Sequence, residues 1–69
     1  MNRLLKLQKQ GCNPCTMVQN HLDSKGIQVE KVDVFEEPNI AALYDIATIP
    51  VVLLLNEQGE ELGRVNGYN

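Results

Sequence analysis

The chain has 69 residues, 43% of them hydrophobic and 22% charged, with a formal net charge of -3. That length leaves room for one domain over residues 1–69 and a small core, and the apolar content is ordinary for a globular fold. The longest apolar stretch, Ile49 to Leu55, is too short to cross a bilayer, and three aromatic residues with no basic cluster argue against nucleic-acid binding.

The charge is uneven along the chain: residues 1–25 sum to +3 and residues 26–69 to -6. The opening Met1-Asn2-Arg3-Leu4-Leu5-Lys6-Leu7 is interrupted by Lys6 and lacks a small-residue cleavage site, so Leu4 to Gln8 reads as a first strand rather than a leader. A cytoplasmic location is the expectation that follows.

Gly11-Cys12-Asn13-Pro14 is the turn into a helix. Pro14 suits a first helical turn, where its missing N–H is not needed and its φ is preset. Cys15, Val18 and Leu22 follow at helical spacing, and Lys25-Gly26 closes the helix. Ile27 to Val34 is strand-like, with a phase change between Val29 and Val32 that a bulge or two-sided burial explains. Glu36-Glu37-Pro38-Asn39 opens a second helix whose apolar face is Ile40, Leu43, Tyr44 and Ala47. Pro50 to Leu55 is continuously apolar, as in a strand covered on both faces; Asn56 to Gly59 is a hairpin loop, and Glu60 to Val65 pairs back. The order β-α-β-α-β-β predicts an α/β fold with a four-stranded mixed sheet, parallel across the β-α-β unit and antiparallel at the hairpin.

Cys12 and Cys15 are the only cysteines, and they are spaced for reversible dithiol chemistry. The first lies just ahead of a helix, facing the free N–H groups that favour a thiolate, and the second sits one turn inside. Two cysteines so close are too few for a secreted disulfide scaffold; in a reducing compartment they read as catalytic or metal-binding. Lys9, three residues before Cys12, is the best-placed cation to stabilise a thiolate. Cys12 is expected within reach of substrate and Cys15 partly covered beside Val18 and Leu22. His21 and Met17 read as boundary and packing residues, and Tyr44 as part of the apolar stripe.

In order and spacing the chain resembles the thioredoxin and glutaredoxin superfamily. The thioredoxin-like marks are Val32-Asp33-Val34, Glu37-Pro38, Ala42-Leu43-Tyr44-Asp45-Ile46, Thr48-Ile49-Pro50 and the closing Arg64-Val65-Asn66-Gly67-Tyr68. The compact start, with a strand immediately before the C-x-x-C and Lys9 ahead of it, resembles glutaredoxins and the small redoxins that reduce ribonucleotide reductase. Pro14 matches the thioredoxin motif, whereas Asn13 replaces its glycine and the glutaredoxin Pro-Tyr pair is absent.

The resemblance implies a thiol-disulfide oxidoreductase without a cofactor, in which Cys12 is the nucleophile and Cys15 the resolving thiol, with Lys9, Pro14 and Lys31 tuning them. Ile49-Pro50 corresponds to the family's cis-proline, and Asn13, Thr48, Ile49, Pro50, Gly67 and Tyr68 to the substrate groove. Tyr68 is a substrate contact or a loose terminus. Thioredoxins carry a buried aspartate six residues before the first cysteine, where this chain has Lys6. Lys31 matches the lysine that partners that aspartate, so it is expected to act alone on the thiols. Family members also continue past the Gly67 position into a last helix that covers one sheet face, whereas this sequence stops at Asn69, so the expectation is either a shortened chain or a face covered otherwise, for example by a partner.

The implied partners are a protein disulfide and an electron donor. The loop Asn66-Gly67-Tyr68-Asn69 has no acid for the glutathione amine, so a flavoprotein of the thioredoxin-reductase type is the expected donor. The alternative is a small C-x-x-C copper carrier, since thiolates suit Cu(I). Such carriers continue with two strands after the first helix and place a methionine where this chain has Gln10. Two cysteines and a distant His21 cannot complete a structural zinc site.

Overall fold

The computed structural model describes residues 1–67. Its elements are β1 (Arg3–Gln8), α1 (Asn13–Ser24), β2 (Glu30–Asp33), α2 (Pro38–Leu43), β3 (Val51–Leu55) and β4 (Glu61–Asn66), in one sheet ordered β2-β1-β3-β4. β1 pairs parallel with β2 and antiparallel with β3, and β3 pairs antiparallel with β4. The β-α-β-α-β-β order and the mixed four-stranded sheet expected from the sequence are both present.

Alternation along the strands divides the residues between two faces. Leu5, Leu7, Val32, Val51, Leu53 and Leu55 form the buried cluster, against which Val34, Ile40, Ala41, Tyr44 and Ile46 pack. The opposite face carries Lys6, Val52 and Val65, which the register sets side by side across β1, β3 and β4, and α1 lies over it. Cover there is thinner. An apolar cavity of about 480 Å³ opens between Val18, Leu22 and Ile27 on one side and Val52, Val65 and Gly67 on the other.

Both helices end in the same way. Ile27 N–H donates to Leu22 O at 2.9 Å and Gly26 N–H to Asp23 O at 3.1 Å, the paired bonds of a Schellman turn with Gly26 at φ 68°. At the end of α2, Ile46 N–H donates to Ala41 O at 2.9 Å and Asp45 N–H to Ala42 O at 3.2 Å, and Asp45 takes the left-handed position at φ 55°.

These turns correct two expectations. The strand read from Ile27 to Val34 begins only at Glu30, because the Schellman turn holds Ile27 against the end of α1. The phase change in that stretch is the boundary between turn and strand. The second helix stops at Leu43, and its inner face is Ile40, Ala41 and Tyr44; Leu43 is exposed, as is Ala47, while Ile46 turns inward past the Asp45 reversal.

The hairpin loop is held by Asn56, whose Oδ1 accepts from the N–H groups of Gln58 and Glu60, each at 2.9 Å. Gly59, at φ 80°, brings its carbonyl to Tyr44 Oη, which donates to it at 2.6 Å and ties the loop to the end of α2. Among the described residues no helix is long and apolar enough to cross a membrane.

Candidate functional site

β1 ends at Gln8, and the turn through Gly11, at φ 71°, delivers Cys12 to the start of α1. Cys12 is the N-cap: its backbone is extended, and its Sγ accepts the backbone N–H of Cys15 at 3.1 Å. Pro14 lies in the first turn, where no donor is lost. Cys12 and Cys15 are joined in a disulfide, with their Cα atoms 5.2 Å apart. This is a dithiol at a helix N-terminus, where the unpaired amides favour a thiolate at the first sulfur once the bond is reduced.

Cys15 is 3% exposed and Cys12 only 9%, so the expectation of an open first cysteine needs correction for the oxidised form. The cap geometry turns the Cys12 sulfur back over the first helical turn and toward Cys15.

The sequence-derived candidates fall into three groups. Lys9, Thr48 and Ile49 line one cavity of about 270 Å³, together with Phe35 and Ala47. Lys9 also borders a second cavity of about 270 Å³, which holds Cys15, Lys31, Lys6, Gln8 and Gln19. Gly67 belongs to neither; it lines the apolar cavity, and its N–H donates to Pro50 O at 2.8 Å. The Ile49–Pro50 peptide is cis, and Pro50 is buried. Asn13 is exposed at the first helical residue. Tyr68 lies outside the described residues.

One residue enters that the sequence reading did not place, and another, Lys6, which it set at the position of the family's buried aspartate, is itself buried. Phe35 is 76% exposed, a large apolar ring at the mouth of the Lys9–Thr48–Ile49 cavity. Its one signal in the sequence is an aromatic sitting between strand and helix patterns. Lys6 is 1% exposed, on the sheet face under α1, where its ammonium donates to Gln8 Oε1 and, at 3.2 Å, to Gln19 Oε1. Burial, followed by repulsion from Lys31, pushes its pKa below the ordinary lysine value, while Asp23 opposes the shift. A second, buried cation therefore shares the cavity that Lys31 lines.

Among the described residues no group of three or more histidine, cysteine, aspartate or glutamate side chains is placed to hold a metal ion.

A family model described as Glutaredoxin matches residues 6–58. The chain belongs to the glutaredoxin family. The chain is 48% identical over 66 residues to the SPbeta prophage-derived thioredoxin-like protein YosR of Bacillus subtilis (strain 168), a match covering 96% of this chain and 82% of that protein. It is 33% identical over 64 residues to the N-acetyl-S-hydroxy-L-cysteine reductase of the same organism, covering 87% of this chain and 60% of that one. Among solved structures, this glutaredoxin-family fold is similar to thioredoxin NaTrxh from Nicotiana alata, with TM-score 0.84 and 26% identity over 99% of this chain. The chain spans 63% of the length of that thioredoxin. Glutaredoxin-family membership, a thioredoxin fold and a Cys12–Cys15 disulfide together are the marks of a thiol-disulfide redox protein.

Proposed function

We propose that this chain acts as one domain over residues 1–69, in a reducing compartment such as the cytoplasm, and reduces disulfides of protein substrates through Cys12 and Cys15. The observation that carries this reading is the capped dithiol: Cys12 stands at the helix start, and Cys15, one turn in, is already within bonding reach. The Cys12 thiolate attacks a substrate disulfide, and one substrate sulfur leaves with the electron pair of the broken bond. Cys15 then attacks Cys12, displaces the second substrate thiol and leaves the pair oxidised. Lys9, Thr48 and Ile49, lining one cavity, supply a cation and an apolar wall for the substrate segment. Asn13, Pro50, Gly67 and Tyr68 are the further contacts proposed for it.

The donor that restores the dithiol is proposed to be a flavoprotein of the thioredoxin-reductase type rather than glutathione, because Asn66, Gly67, Tyr68 and Asn69 include no acid to meet the glutathione amine. A reductase such as ribonucleotide reductase is a fitting acceptor. The copper-carrier alternative calls for two consecutive strands after α1, and α2 stands between β2 and β3 instead.

Trapping decides the roles. Cys15→Ser should accumulate a mixed disulfide with a substrate such as insulin, resolved on a non-reducing gel, and Cys12→Ser should lose disulfide reduction. Equal trapping by both variants defeats the assignment. Steady-state turnover with each donor tests the second half of the proposal, and faster turnover with glutathione overturns it.

A further inference from the structure

The charge buried beneath the dithiol has an unusual sign and no direct acidic partner. Lys6 extends from the middle of β1, paired with Lys31 on β2 and Val52 on β3, so two lysines stand side by side on the face that α1 covers. The Lys6 ammonium meets only amide oxygens, those of Gln8 and Gln19. The nearest acid along that path, Asp23, is one side chain further: Gln19 Nε2 donates to its Oδ1 at 2.9 Å. Lys9, just past the end of β1, lines the same cavity, and no carboxylate lines it beside Cys15. A buried cation without a counter-anion is costly. In the oxidised protein the disulfide provides none. Reduction frees the Cys15 sulfur, the one group lining the cavity that can ionise to an anion.

We infer that Lys6 is the group that sets the ionisation of Cys15: on reduction the Cys15 thiolate becomes the missing anion of the Lys6–Lys9–Lys31 cavity. This inference rests on the dithiol reading above and adds to it the means by which the resolving thiol is activated. A proton must leave Cys15 before it attacks the mixed disulfide. If the amine is neutral, it takes that proton; if it is already charged, it stabilises the thiolate left when solvent takes it. Both routes end in the same ion pair. The thiolate electron pair then forms the Cys12–Cys15 bond, the pair of the Cys12–substrate bond leaves on the substrate sulfur, and that sulfur collects a proton. In the reverse direction, Cys15 leaves as a stabilised thiolate, which speeds its departure.

Lys6→Met is the decisive substitution, since an unbranched apolar chain fills the site and replacing a buried charge by an apolar side chain is often neutral or stabilising. In a Cys12→Ser background only Cys15 titrates as a thiol, and its thiolate absorbance can be followed against pH. Lys6→Met should move that titration upward by about one pH unit or more, a tenfold loss of thiolate at neutral pH. With both cysteines present, the thiol-disulfide equilibrium against a glutathione redox buffer should shift about tenfold toward the disulfide, about 30 mV more negative. Lys6→Arg should retain most of the thiolate. A folded Lys6→Met protein with unchanged titration and unchanged equilibrium overturns the inference. The unsubstituted protein supplies a second measurement: carbon NMR of labelled lysine should show Lys6 titrating higher in the reduced than in the oxidised state, as linkage requires. Identical titrations in both states also overturn it. A failure of the dithiol to cycle at all defeats the function reading instead, and the two failures are separately visible.

Discussion

The two faces of the sheet should respond very differently to the same truncation at neighbouring positions. Leu53 and Leu54 are consecutive in β3, yet Leu53 is 0% exposed inside the main cluster and Leu54 is half-buried on the thinly covered face. Cutting a fully buried leucine to alanine costs about 2.7–5.0 kcal/mol, the lost transfer energy plus that of the cavity left behind. A chain of this length has roughly 3.5–10 kcal/mol in total, so Leu53→Ala should remove about a quarter of it or more. At about 4–8 °C per kcal/mol, a 3 kcal/mol loss lowers Tm by roughly 12–24 °C. Leu54→Ala should cost about 1 kcal/mol, because much of its side chain already meets water. Urea unfolding of the oxidised protein, followed by far-UV circular dichroism, measures both. Equal losses, or a larger loss at Leu54, would refute the assignment of the core to the α2 side.

Tyr44→Phe removes the hydroxyl that donates to Gly59 O and should cost about 0.5–1.5 kcal/mol by the same unfolding assay, with turnover unchanged. Phe35→Ala should leave Tm nearly unchanged, since the ring is exposed, but raise KM for a protein disulfide about fivefold, the equivalent of about 1 kcal/mol of aromatic contact; an unchanged KM removes Phe35 from the substrate surface. The lowered pKa of Lys6 has a pH signature of fixed sign. Between that lowered value and the ordinary 10.5, the unfolded chain binds a proton that the folded chain does not, so stability should rise with pH across that window. Denaturation midpoints of oxidised protein and Lys6→Met, compared from neutral to alkaline pH, should converge as pH rises, and parallel curves would contradict the burial of the charge.

Much of this molecule was legible because its signals are local. Pro14 after Cys12, Gly26 after Lys25 and the loop before Glu60 each belong to a turn whose geometry demands that residue type. The apolar run from Val51 to Leu55 could hardly be anything but a central strand. Two kinds of feature were not legible. The end of α2 is set by Asp45 in a left-handed conformation, a place where glycine is the usual signal, so the apolar spacing alone points to Ala47 for the helical face and not to Ile46. The other feature is long-range. Lysine is almost never fully buried, and nothing within a few residues of Lys6 shows that Gln19, thirteen positions away, will receive its ammonium. The cysteine pair was visible from spacing alone, and the family resemblance set Lys6 at a buried position; that its charge meets Lys31 and Gln19 required the register of β1 against β2 and the placement of α1.

The sulfur of Cys12 has a second occupation, and it bears on how loss-of-function variants are to be interpreted. A helix start leaves amide donors without partners, and at α1 one of them, that of Cys15, is satisfied by this sulfur. A serine in its place keeps an acceptor at the cap, whereas an alanine leaves the amide unpaired and costs about 0.5–2 kcal/mol of helix stability. Inactivity of a Cys12→Ala protein therefore mixes absent chemistry with a frayed scaffold. Cys12→Ser separates the two, and any difference between these variants in the amide exchange of the first turn measures the mechanical share of an atom otherwise known only for its reactivity.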